Sequence, residues 1–134
     1  MATERRILLI NPNATVYVTE RMAVAVREEL GPDWYVEEMT NIGAPSIITD
    51  DAGLELATNL MIEAFDKGRD PLDGVIVAAF GDPALQELRA KLSVPVVGIA
   101  ESGMLEAAEY GSFAIVTPTP DLFDPINGLA ERYG

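Results

Sequence analysis

Gly74-Val75-Ile76-Val77-Ala78-Ala79-Phe80-Gly81-Asp82-Pro83 is the stretch that decides the fold. An unbroken apolar run suits a strand covered on both faces, as in a parallel sheet. Its short length, bounded by glycine and proline, favours a strand over a helix. The run stops at Gly81-Asp82-Pro83, where a helix is expected to open. Asp82 reads as its N-cap and Pro83 as its first residue, with Leu85, Leu88 and Leu92 on one side.

The same strand–turn–helix unit recurs on either side. Ile7-Leu8-Leu9-Ile10 is a second apolar run, closed by the turn Asn11-Pro12-Asn13. Val16 to Leu30 follows with Val18, Met22, Val26 and Leu30 on one face, and Gly31-Pro32 ends it. Trp34 to Val36 begins a short strand, and a loop runs through Ile42-Gly43-Ala44-Pro45-Ser46. Asp51 to Phe65 is an amphipathic helix with Leu54, Ala57, Leu60, Met61, Ala64 and Phe65 inward. Beyond the central stretch come a strand at Val94–Ile99, a helix at Glu101–Tyr110 and a fifth strand at Phe113–Val116. That strand ends at Thr117-Pro118-Thr119-Pro120, and Leu122 to Tyr133 holds a last helix. The alternation predicts an α/β fold, a mostly parallel flavodoxin-like sheet with helices on both faces and right-handed crossovers.

Composition narrows the function. The chain has 134 residues with 9 Lys or Arg against 22 Asp or Glu, a formal net charge of −13, and no Cys or His. No disulfide can form, and zinc sites of Cys and His are excluded, as are Ser-His and Cys-His catalytic pairs. The acidic balance argues against nucleic acid or an anionic membrane as partner. No apolar run reaches the roughly 18 residues of a membrane span. The N-terminal apolar run is too short for a signal-peptide core, so a cytoplasmic protein is expected.

In an open α/β sheet, ligands bind beyond the carboxyl ends of the strands. Three such ends carry unusual residues: Asn11-Pro12-Asn13, Ala79-Phe80-Gly81-Asp82-Pro83 and Thr117-Pro118-Thr119. In a parallel sheet all three gather at one edge. Backbone N–H groups around Phe80 and Gly81 lie at a helix start, which favours an anionic oxygen. Neither phosphate-loop pattern occurs. Taken singly, ordinary structure accounts for each signal: a turn and cap for Asn-Pro-Asn, capping for Gly81-Asp82-Pro83, a helix-start carboxylate for Glu101, and a turn for Thr117. A flavodoxin-like domain with another role also fits the alternation.

Taken together, the motifs resemble one family. Ile10-Asn11-Pro12-Asn13-Ala14-Thr15 resembles the I-N-P-N opening, followed by Thr or Ser, of the Asp/Glu/hydantoin racemase superfamily. Within it, the hydantoin and allantoin racemase branch is most similar. Pro45-Ser46-Ile47 resembles that branch's P-S-I loop. Val77 to Leu85 is similar to its motif Cys-Phe-(Gly/Asp)-Asp-Pro-Gly-Leu. Val94 to Glu101 resembles P-V-(I/V)-G-I-x-E-A, and Phe113 to Thr117 resembles F-(S/A)-(I/V)-V-T. The motifs stand in family order and span nearly the whole chain.

The resemblance implies two similar α/β lobes with the active site between them. Each lobe supplies one Cys at a strand end; one thiolate removes the proton of a chiral carbon and the opposite thiol returns one, without metal or pyridoxal cofactor. Residues 1–111 would then be the first lobe and 112–134 the start of a second lobe that is otherwise absent. Matched positions give a substrate-binding set of Asn11, Asn13, Ser46, Ala79, Phe80, Gly81 and Thr117. Asn11 and Asn13 would shape the pocket floor and donate to a substrate carbonyl. Ser46 would meet a polar edge of the substrate, and Glu101 would line the cleft or cap a helix.

This chain departs from the pattern at the decisive point. Ala79 occupies the first catalytic Cys position, and a methyl group cannot move a proton. No second Cys exists in these residues, so no catalytic residue is retained. The resemblance therefore implies a racemase by descent, inactive as the isolated chain. Three explanations stay open: a fragment of a longer protein, a one-thiol enzyme like the arylmalonate decarboxylases of the superfamily, or a non-catalytic small-molecule-binding relative. The substrate class is a hydantoin, allantoin or amino-acid-like molecule. An unpaired strand at Phe113–Val116 would expose backbone groups and an apolar face, so a homo-oligomer is expected.

Overall fold

The computed structural model describes residues 4–133. Strands β1 (Arg5–Asn11), β2 (Trp34–Thr40), β3 (Gly74–Val77) and β4 (Val96–Gly98) alternate with helices α1 (Val16–Leu30), α2 (Asp51–Asp66), α3 (Leu85–Lys91) and α4 (Ile99–Ala108). A single 3₁₀ turn, Pro120–Leu122, leads into α5 (Phe123–Tyr133). The four strands lie in the order β2-β1-β3-β4, and every pairing is parallel.

The strand order explains the apolar runs. β1 is paired on both sides: Leu9 stands beside Glu38 of β2 and Ile76 of β3. Successive residues of a strand point to opposite faces. Leu8 and Ile10 join Val75 and Val77 beneath Met61 and Phe65 of α2 and Leu85 and Leu88 of α3. Leu9 and Val36 pack on the other face against Ala23, Met22, Val26 and Leu30 of α1. Helices thus cover both faces, as predicted. The chain steps from β1 to β2 on one side and then crosses to β3 on the other. This reversal opens a crevice between the carboxyl ends of β1 and β3.

Three expectations need correction. β2 runs on to Thr40, whereas β3 and β4 are shorter than the apolar runs that announced them. Asp82 does not cap the helix that follows it. α3 starts at Leu85 after Ala84, because Asp82 and Ala84 both take positive φ and delay the helical turn. The fifth strand does not form among the described residues. Burial along Phe113–Val116 alternates as in a strand, with Phe113 and Ile115 half-buried and Val116 96% exposed, yet no strand pairs with it. Phe113 and Ile115 dock instead on a cluster of Ala100, Met104, Leu122 and Ile126. A strand exists only with a partner for its backbone groups; without one, the apolar side chains follow the nearest helices. No helix among the described residues is long and apolar enough to cross a membrane.

Candidate functional site

The Asn-Pro-Asn turn is built by its own side chains. Asn11 ends β1 and is fully buried. Its Nδ2 group donates to Asn13 Oδ1 (3.0 Å), the Thr15 carbonyl (3.2 Å) and Thr19 Oγ1 (3.0 Å), while its Oδ1 accepts from the Asn13 N–H (3.1 Å). The Thr19 and Thr40 hydroxyls meet at 2.7 Å below it. Asn13 Oδ1 also accepts from the Thr15 N–H at 3.0 Å. A backbone N–H can only donate, so the Asn13 oxygen must face the turn. Its Nδ2 group is left without a partner among the described residues. Two neighbouring asparagines therefore differ in kind: Asn11 is spent on the scaffold, and Asn13 keeps a donor.

Asn41 is a further part that sequence reasoning missed. It is buried at the end of β2, and its Nδ2 donates to the carbonyls of Pro12 (2.9 Å) and Ala57 (3.1 Å). The available signal was a lone amide directly after a strand. Ser46 does not reach the crevice; its carbonyl accepts from Thr15 Oγ1 at 2.8 Å and ties the β2–α2 loop to the turn. Ile47, next to it, lines the crevice in its place.

The second turn follows β3. The Ala78 N–H still reaches the Ile10 carbonyl (2.9 Å), and the Asp82 N–H reaches the Ala79 carbonyl (3.1 Å). Between them, the N–H groups of Ala79, Phe80 and Gly81 have no acceptor among the described residues. Gly81 has φ 120°, where a residue with a side chain is strained. The Asp82 carboxylate points away, accepting from the N–H groups of Ala100 (2.9 Å) and Glu101 (2.7 Å) in the first turn of α4. Burial raises the Asp82 carboxyl above the ordinary aspartate range, while those two donors and Arg89 oppose the rise and Glu101 adds to it.

Both turns open onto one cleft of about 490 Å³. Asn13, Ala79, Phe80 and Thr117 line it, together with Val18, Ile47, Ile48, Leu54 and Ile99. Val18, on the apolar face read for α1, forms cleft wall. Asn11 and Gly81 stand behind the lining. Thr117 shares its hydroxyl with Thr119 (2.6 Å) and also borders a larger cavity of about 680 Å³ between the end of α4, residues 111–117 and α5. That larger cavity touches no residue of the β1 or β3 turns.

Glu101 takes the structural course. It forms a forked ion pair with Arg89, whose Nη1 lies 2.7 Å from Oε2 and whose Nε donates to the Val96 carbonyl at 2.9 Å. The hydrogen bonds between Arg89 and Glu101 hold Glu101 below the ordinary glutamate range and raise Arg89. The Tyr133 hydroxyl is buried beside Glu101, and burial first, then the neighbouring Glu101 carboxylate, push it up.

The cleft's chemistry follows from its lining. It offers the Asn13 amide, free backbone N–H groups and an apolar wall, and no lining residue bears a charged or titratable acid or base. The Ala79 methyl lies among them. Such a cleft can hold a neutral molecule through its carbonyl oxygens; its own side chains provide no base for a C–H bond.

The comparisons with known proteins show the family and agree with the fold. The family model for Asp/Glu/Hydantoin racemase matches residues 7–134. The hydantoin racemase of Paenarthrobacter aurescens is 29% identical over 132 residues, covering 96% of this chain and 56% of its own length. The hydantoin racemase of Pseudomonas sp. (strain NS671) is 30% identical over 131 residues, covering 96% and 53%. The allantoin racemase from Klebsiella pneumoniae superposes with a TM-score of 0.86 at 30% identity, over 97% of this chain and 54% of that one. The allantoin racemase of Pseudomonas fluorescens gives 0.75 at 25% identity, over 95% and 53%. The chain spans about half the length of the curated relatives it matches. With the family model matched over residues 7–134 and the parallel sheet in accord, the chain belongs to the Asp/Glu/hydantoin racemase family.

Proposed function

We propose that this chain binds a small neutral cyclic amide or ureide, of the hydantoin or allantoin kind, and leaves the proton on its chiral carbon untouched. The observation that carries this reading is the meeting of Asn13 with Ala79 and Phe80 at one apolar cleft, beside N–H groups that have no acceptor among the described residues, with a methyl where a thiol would act. Asn13 would donate to one substrate carbonyl. The N–H groups of Phe80 and Gly81 would hold a second carbonyl or its developing negative charge. Thr117 would close the cleft from the opposite side. Asn11 and Ser46 serve by shaping the turn. Free amino acids and malonates fit less well, since the lining carries no cation to balance a carboxylate.

The reading extends to organisation. Residues 1–111 would be the first lobe and 112–134 the opening of a second, residues 1–3 and 134 lying outside the described residues; the positive φ of Gly111 (104°) and the unpaired segment after it support that boundary. A thiol from beyond these residues would turn the same cleft into a one-thiol enzyme. Ile47 and Val116, both on the cleft and both more than half exposed, favour a homo-oligomer in which a second copy covers them. Sedimentation of the purified chain checks that point, and a monomer at all concentrations would refute it.

The binding itself is tested by titrating a single enantiomer of 5-isopropylhydantoin into the ¹⁵N-labelled chain. The amides of Phe80 and Gly81 and the Asn13 side chain are expected to shift together. Asn13→Ala should weaken binding about fivefold, the worth of one neutral hydrogen bond. Shifts confined to other residues, or none, would overturn the reading.

A further inference from the structure

The turn after β3 contains three positive-φ residues within four, Gly81 (120°), Asp82 (49°) and Ala84 (64°). Only the glycine adopts such a conformation freely; the other two cost energy that a contact elsewhere must offset. The contact is the Asp82 carboxylate on the N–H groups of Ala100 and Glu101. Its path runs through Gly98, where a Cβ would lie 2.3 to 2.5 Å from the carboxyl atoms. Asp82 is buried and lines no part of the cleft. The two segments that it joins both do: Ala79 and Phe80 on one side, Ile99 on the other.

Resting on the cleft as the binding site, we propose that Asp82 is its positioning residue: the carboxylate holds the Ala79–Gly81 N–H groups against the Ile99 wall, and ligand affinity depends on it although it touches no ligand. The charged groups that face Asp82 are Glu101 of α4 and Arg89 of α3, and Tyr133 of α5 senses its charge. Glu101 and Arg89 neutralise one another in their forked pair. The carboxylate accepts from both α4 N–H groups, and the neutral acid keeps one full acceptor oxygen, so the Asp82 titration alters the contact at both of its ends.

The test uses the full 134-residue chain, ¹⁵N-labelled, titrated across the carboxylate range. Phe80 and Gly81 are expected to shift with the same midpoint as Ala100 and Glu101, above the ordinary aspartate range because burial raises Asp82. Glu101→Gln should keep that shared step, and Asp82→Asn should abolish it. Asp82→Asn should also bind 5-isopropylhydantoin at least about fivefold more weakly, whereas a merely structural aspartate would leave the affinity of the folded variant unchanged. Independent titration of Phe80 and Gly81 overturns the proposal, and so does wild-type affinity in Asp82→Asn. If the wild type binds no hydantoin, the ligand reading fails and the shared titration alone decides the role of Asp82. If Asp82→Asn does not fold, the wild-type titration still decides it.

Discussion

Ile7-Leu8-Leu9-Ile10 and Phe113-Ala114-Ile115-Val116 have the same local signature: four apolar residues running into a polar, proline-bearing turn. The first becomes the centre of the sheet, with β2 on one side and β3 on the other. The second pairs with no strand among the described residues and lays Phe113 and Ile115 on helices. The difference lies outside both segments. β1 meets two neighbours delivered by α1 and α2, and its backbone groups are satisfied on both edges. Strand preference is a preference for a half-built surface, realised only where that surface exists.

The comparison can be broken most sharply in the core. Ile10→Ala should cost about 2–5 kcal/mol in urea unfolding, the range for emptying a fully buried site. Val116→Ala should stay within about 0.5 kcal/mol, as for an exposed side chain. Equal losses would mean that residues 113–116 are paired in solution.

A smaller effect separates the two turns. Asn11→Ala strands the Asn13 N–H and removes one donor from the Thr19 hydroxyl, which keeps Thr40, and should cost about 1–3 kcal/mol, on the scale of an unsatisfied polar group. Thr117→Ala, which loses only the contact with Thr119, should cost less than about 1 kcal/mol. Gly98→Ala tests the fit at Asp82. Its methyl needs space that the carboxylate fills, so a loss of about 1–3 kcal/mol is expected in thermal unfolding.

The smallest effect is electrostatic. Glu101 is held below its ordinary range, so its stabilising share is present above the unfolded glutamate value and is lost as pH falls through the folded one. Asp82 is raised and acts oppositely: its share is complete below the unfolded aspartate value and is lost as pH rises through the folded one. Glu101→Gln should therefore flatten the acid side of the stability curve by under about 1 kcal/mol. An unchanged acid limb would show that the Arg89 pair contributes nothing.

Much of this was readable in the sequence because it is local. Apolar runs marked β1 and β3, four-residue spacing marked the buried side of α1, and Gly31-Pro32 marked its end. The parts that escaped depend on contacts between distant residues. Asp82 has the residue type of a cap, but its partners lie 18 and 19 residues on, a distance that no local pattern encodes. Asn11 and Asn13 read alike two positions apart. Burial under β1 and the Thr15 N–H assign one to the scaffold and leave the other a free donor. The missing thiol was legible in the sequence, since Ala79 takes the Cys position of a motif that differs elsewhere only by Ala84 in place of Gly.

The most direct test of a cleft that holds its ligand without proton transfer is isotope exchange. Single enantiomers of allantoin and 5-isopropylhydantoin would be incubated with the chain in D₂O, and the proton on the chiral carbon followed by NMR against a protein-free blank. The expected result is exchange at the blank rate under conditions where Phe80 and Gly81 report a bound ligand. Exchange clearly above the blank would contradict it and show a working base in a cleft lined by none.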